Sequence, residues 1–225
     1  MRAAMEPLTL TSLPLFPLGT VLFPGGLLTL RIFEVRYLDM IGKCHKHGVP
    51  FGVVALSQGA EVQRPAGSGP RGDGFANEAF DAVGTLATIT AFSAPQPGLM
   101  VVRCTGSERF AVGRSEKLKH GLWVADVSRL PSDQAVAVPA DLKHVAAALG
   151  KLIRTLQDKG VATADLPLQP PYHLDDCGWV ANRWCELLPL SGEMKQRLMA
   201  LDNPLVRLEL VGDILARMRI SGEGG

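Results

Sequence analysis

The chain has 225 residues, 47% of them apolar and 20% charged, with a formal net charge of +1. That length gives one large domain or two small ones a real core, and that composition excludes a disordered chain. A charge so near zero supplies no long-range field for nucleic acid or an anionic membrane, and no apolar run reaches the roughly 18 residues that span a bilayer.

Residues 13–37 read LPLFPLGTVLFPGGLLTLRIFEVRY. Proline lacks an N–H and sits at strand starts, edges and turns, so three short extended pieces are predicted at 13–17, 20–23 and 27–33. A helix then opens at Glu34, with Tyr37, Met40 and Ile41 on one face and Gly48 at its end. Residues 51–56 (FGVVAL) form a strand. Residues 63–74, rich in glycine and proline without apolar period, form a surface loop, where Arg71-Gly72-Asp73 is a chance tripeptide. Strands follow at 83–92, 99–104, 109–112 and 122–130, with turns at 95–98, 106–107 and 120–121. Short strands at this spacing predict a closed or nearly closed antiparallel barrel.

Residues 131–139 read as a linker, after which helical periodicity takes over. Leu142, Val145, Leu149, Leu152, Ile153 and Leu156 form one stripe, ended by Gly160. Asp175 or Asp176 caps a helix with Val180, Trp184, Leu187 and Leu188 inside, and Pro189 ends it. Ser191 caps another, with Met194, Leu198 and Leu201 inside. Asn203-Pro204 starts the last, with Leu205, Leu208, Val211, Leu215 and Met218 inside, before a frayed tail at 222–225. The expected class is α+β: residues 1–132 a β-barrel subdomain and 133–225 a helical bundle.

The chemistry-bearing motifs are sparse. There is no phosphate loop, no GxGxxG spacing and no GxSxG elbow. The four cysteines, Cys44, Cys104, Cys177 and Cys185, include no CxxC pair and read as free buried thiols of a cytoplasmic protein. Cys44, His45 and His47 could contribute to a metal site, but they end a helix, where histidines also meet free carbonyls. His173, Asp175, Asp176 and Cys177 could hold a thiol nucleophile; the structural alternative is a helix cap followed by a buried thiol. Arg31, Glu34 and Arg36 offer either a recognition patch or ion pairs that fix a helix start. Tyr37, Phe33 and Trp184 are expected in the core. No cofactor and no metal is expected.

Three blocks carry a family resemblance. Leu13-Pro14-Leu15-Phe16-Pro17-Leu18, Val21-Leu22-Phe23-Pro24-Gly25 and Leu28-Thr29-Leu30-Arg31-Ile32-Phe33-Glu34 with Arg36-Tyr37 resemble the opening of the Lon protease N-terminal (substrate-binding) domain. Val83-Gly84-Thr85-Leu86-Ala87-Thr88-Ile89 is similar to its GT-x-A-x-I strand, and Gly106 with Arg109-Phe110 to its G-x-x-RF segment. Leu187-Leu188-Pro189-Leu190, Lys195-Gln196 and Arg207-Leu208 match its helical half. The resemblance implies a PUA-like β-barrel followed by a helical bundle. In full Lon proteases this region recognises misfolded or tagged proteins and contributes to hexamer formation. ATPase and Ser-Lys peptidase modules are absent from these 225 residues, so a stand-alone, non-catalytic module is expected.

Such a module would bind unfolded or hydrophobic polypeptide segments and could partner a separate ATPase or protease, with no membrane involved. Leu15, Phe16, Leu22, Phe23, Leu28 and Trp123 are the expected peptide contacts, with the proline-broken 13–30 segment as a candidate open edge. RNA binding is the alternative that PUA-like barrels suggest; it would need Arg64, Arg71, Arg103, Arg109 and Arg114 to cluster, and the chain is poor in aromatics. A small-molecule pocket between the subdomains is a third, although Trp123, Trp179 and Trp184 fall in no ligand-cage motif.

Overall fold

The computed structural model describes residues 9–58, 78–160 and 166–222. They fall into two compact units, Met1–Ser132 and Asp133–Gly225. The predicted loop at 63–74, with Arg64 and Arg71, and residues 223–225 of the tail lie outside the described residues.

The first unit runs β1 (Thr9–Leu18), β2 (Leu27–Ile32), α1 (Val35–His47), β3 (Phe51–Gln58), β4 (Ala79–Phe80), β5 (Val83–Gln96), β6 (Leu99–Lys117) and β7 (Trp123–Arg129). Strands β1, β7, β6, β5 and β3 pair in that order, and β1 pairs again with β3. The ring is therefore closed. Its pairings are antiparallel except β1–β3, which is parallel, with Leu15 opposite Gly52. β2 adds to the outer half of β6, and the two-residue β4 to β3.

The apolar run at 13–18 follows from this placement. Side chains alternate across a strand, so Leu13 and Leu15 join one core cluster with Val54, Leu86, Phe110 and Val127. Phe16 and Leu18 join the other, with Tyr37, Met40, Ile41 and Cys44 of α1. A strand covered on both faces is apolar at every position instead of alternating. Phe16 stacks on Tyr37 with ring centroids 4.0 Å apart. Gly48, at φ +62°, ends α1 in the left-handed region that glycine tolerates.

Two local predictions change. Residues 20–23 form no strand; they make a buried loop between β1 and β2. The main chain after it bonds across to Gly106: Gly25 N donates to the Gly106 carbonyl and Gly106 N to that of Gly26. Residues 99–112 form no pair of strands around a Gly106-Ser107 turn, because β6 runs through both. A Cβ on Gly106 would lie 2.4 Å from the Phe23 carbonyl oxygen. Glycine is there for close backbone approach, not for a turn.

The second unit holds a 3-10 turn (Ala140–Leu142), α2 (Lys143–Asp158), α3 (Cys177–Leu187), α4 (Gly192–Ala200) and α5 (Pro204–Gly222) among its described residues. Its caps follow the sequence. Asp176 accepts from Trp179 N, Ser191 from Met194 N, and Asn203 from Leu205 N. The expected stripe on α2 buries Val145, Leu149 and Ile153. Met194 and Met218, expected inside, are 39% and 37% exposed; Met194 lies in the first turn of α4 and Met218 near the end of α5, where fewer residues of the helix flank them. The segment after Ser132 is tied down: Val136 N donates to Asp176 Oδ2 and Cys177 N to the Val136 carbonyl.

Candidate functional site

Of the charged residues the sequence singled out around the start of α1, Glu34 and Arg36 are engaged in holding the fold, while Arg31 is exposed. Arg36 is 6% exposed on α1. Its Nε donates to Glu34 at 3.1 Å, Nη1 to the Gly121 carbonyl at 2.8 Å, and Nη2 to Glu78 at 3.4 Å. Its guanidinium also lies 4.3 Å from the Tyr37 ring centroid. Glu78 in turn accepts from Trp123 Nε1 at 2.8 Å and faces Lys117 Nζ at 3.7 Å. One buried carboxylate thus joins α1 to β6 and β7. Glu34 precedes α1 without capping it, its carboxylate turned to Arg36.

In the second unit Arg207 is 1% exposed and uses all five N–H donors. They reach both oxygens of Asp133, the side-chain oxygen of Asn182, and the carbonyls of Leu198 and Leu201. Arg109, 4% exposed, donates to the Pro131 carbonyl and is no part of an open basic face. Four residues that carry the family resemblance are therefore architectural: Thr85 donates to Leu22, Gly106 admits Phe23, and Arg109 and Arg207 satisfy carbonyls.

The two candidate reaction centres have the same character. Cys44 lies in the core, its thiol pKa pushed up by burial, while the neighbouring His45 stacks on Phe92 at 4.3 Å. Asp176 is spent on capping α3 and on Val136 N. Cys177 donates its thiol to the Ala137 carbonyl at 3.6 Å, and burial, then the charges of Asp176 and Glu209, push its pKa up. A nucleophilic thiol needs the opposite shift. Among the described residues no group of three or more His, Cys, Asp and Glu is placed to hold a metal ion.

The six expected peptide contacts separate. Leu15, Phe16, Leu22 and Phe23 are buried, none more than 7% exposed, so none offers a surface in this conformation. Leu28 is half-buried against the α1 core cluster. Trp123 packs edge-on against Phe80 and gives its N–H to Glu78. Tyr37 and Trp184 are buried as expected, but Phe33 is 55% exposed.

Beside the isolated Val49, the exposed large apolar residues described in this unit lie one step along the chain. Leu27 is 41% exposed, Phe33 55% and Val35 81%, all on the run from β2 into α1. The signal for this was present: Leu30 and Ile32 are buried, so the opposite parity of Leu27, Thr29, Arg31 and Phe33 must face out. The polar Thr29 and Arg31 mark that face, and Phe33 shares it.

The substrate-binding domain of the ATP-dependent protease La (LON) matches as a family over residues 12–217. The chain belongs to that family. As a LON substrate-binding domain it is similar to the Lon N-terminal domain protein from Xanthomonas campestris, whose crystal structure superposes with a TM-score of 0.68 at 32% identity, covering 92% of this chain and 98% of that one. The N-terminal domain of the Mycobacterium avium complex Lon protease superposes with a TM-score of 0.56 at 16% identity, covering 90% of this chain and 96% of that one, and so shares the fold. Among curated proteins none matches. No described helix of this LON domain is long and apolar enough to cross a membrane.

Proposed function

We propose that this LON substrate-binding domain binds unfolded, apolar segments of other proteins, and that it does so as a module without ATPase or peptidase chemistry of its own. The observation that carries this reading is the exposed run Leu27, Phe33 and Val35 on a domain of a family described by substrate binding. Single exposed apolar residues are ordinary, but here Phe33 and Val35 stand together at the strand-to-helix junction and Leu27 opens the strand that leads to it. The buried thiols and committed carboxylates described above support a binding role over a catalytic one. A separate ATPase or protease would act on what the module holds.

The test is a fluorescence-anisotropy titration with a reduced, carboxymethylated protein that stays unfolded, against the same protein folded. Binding to the unfolded form at roughly micromolar strength is expected, as for a small interface. The variant Phe33→Ser should weaken it about tenfold, since that removes most of one large apolar contact. Equal binding of folded and unfolded protein, or none at all, would sink the reading.

A further inference from the structure

A strand has two edges, and in the outer part of the barrel two edges are left over. There β2, the outer half of β6 and the outer half of β5 form a three-stranded wing. The wing ends at the free side of β5 on one flank and at the free side of β2 on the other.

The two flanks differ in a way that decides which can receive another strand. The β5 flank is irregular: its register shifts between Ile89 and Ala91 and again between Ser93 and Gln96, and Pro95 interrupts it. Bulges and proline are the common means of closing an edge to further pairing. The β2 flank has neither. Its six residues pair with β6 without a shift, from Leu27 opposite Thr105 to Ile32 opposite Met100.

The hydrogen-bond phase can be read from the residue before β2. Gly106 N donates to the Gly26 carbonyl, so Gly26 faces β6. Phase alternates along an antiparallel strand, so Leu28, Leu30 and Ile32 also turn their peptide groups to β6. Leu27, Thr29 and Arg31 turn theirs to the open side. No main-chain hydrogen bond among the described residues takes them up. The same three side chains are exposed. Arg31 makes no ion pair among the described residues, and Arg103, opposite Thr29, adds a second exposed cation to that face. Phe33 continues the outward parity beyond the strand, 55% exposed.

We infer that the open edge of β2, at Leu27, Thr29 and Arg31, takes an extended polypeptide segment as an added strand, with a carboxylate of that segment at Arg31 and an apolar side chain against Phe33. This rests on the polypeptide-binding reading above and specifies its mode. Main-chain hydrogen bonds hold the segment whatever its sequence, and the cation beside an apolar patch selects segments that place an acidic residue next to an apolar one. A folded protein presents no such free strand.

The probe is an eight-residue peptide, acetylated and amidated, alternating valine and threonine with one central glutamate. Two more versions carry N-methyl groups on alternate backbone nitrogens, one set on each edge. Wild-type protein should bind the plain peptide, lose at least about tenfold for one methylated version, and keep its affinity for the other. Thr29→Pro should lose at least about tenfold while keeping its melting temperature, because that N–H faces outward and a proline there breaks no bond to β6. Arg31→Glu should reverse a preference for the glutamate peptide over its lysine counterpart. Equal binding of both methylated versions overturns the proposal even if Thr29→Pro fails to fold, as does full binding by a folded Thr29→Pro. A wild-type dimer that Thr29→Pro makes monomeric in sedimentation also overturns it, since a second copy then holds the edge. Binding of the unfolded carboxymethylated protein without binding of the peptide ends this proposal alone; binding of neither ends the broader reading as well.

Discussion

The Thr85 hydroxyl donates to the carbonyl oxygen of Leu22 at 2.6 Å, with both residues buried. That bond pins the loop between β1 and β2 onto β5, while Gly106 lets the same loop touch β6. Replacing Thr85 by valine keeps the shape and leaves a buried carbonyl without that donor. The expected loss is about 1–3 kcal/mol, read from urea midpoints at constant m-value. Gly106→Ala should cost more, since its Cβ would meet backbone and not a movable side chain.

Arg207 is the largest fully buried side chain, and it satisfies five acceptors. Arg207→Met should destabilise the helical unit by about 3–5 kcal/mol, because Asp133, Asn182 and two carbonyls then lose this buried donor. Arg207→Lys should recover only part, since an ammonium cannot copy the planar fork. Circular dichroism at 222 nm during thermal unfolding reads both.

Glu186 gives the helical unit a pH dependence. Burial pushes its pKa up from 4.5 to about 7, against the opposing pull of Arg183 and Lys195. A carboxyl raised on folding binds more protons folded than unfolded between those two values. Its contribution to stability is therefore present at low pH and is lost as pH climbs from about 4.5 to about 7. Glu186→Gln should flatten that decline, so its stability relative to wild type improves from pH 5 to pH 8. Denaturant midpoints across that range decide it; a constant offset would contradict the assignment.

All four thiols are buried, and burial pushes Cys104 and Cys185 up to about 12. An aromatic disulfide reagent at pH 8 should therefore titrate almost none in the native protein and four after denaturation. A fast native reaction at Cys177 would reopen the nucleophile reading.

The elements were legible wherever a local rule governs them. Asp176, Ser191 and Asn203 cap helices because their side chains reach the first free N–H groups, and that needs only neighbours in sequence. The continuity of β6 was not legible, because Gly106 is required by a carbonyl more than eighty residues upstream in the chain. Likewise the run 13–30 read as a candidate open edge. In fact β1 is paired on both sides and Phe23 is fully buried, so apolar character there signals interior. The parity of Thr29 and Arg31 pointed to the outward face of β2, but which edge of β2 stays open depends on its pairing with β6, a non-local fact. Arg207 was missed as a core residue because a cation in an apolar stripe reads as solvent-facing until its acceptors are assembled.

The ring is closed by its first strand, with Leu10 opposite Val127 on one side and Leu15 opposite Gly52 on the other. During synthesis the amino-terminal strand leaves the ribosome early and lacks its β7 neighbour until that strand has also emerged. The barrel is thus completed late, and a nascent chain stalled before Trp123 would carry its own sticky, half-covered strand. Until β7 emerges, the apolar residues of β1 lack the pairing that covers them in the finished barrel.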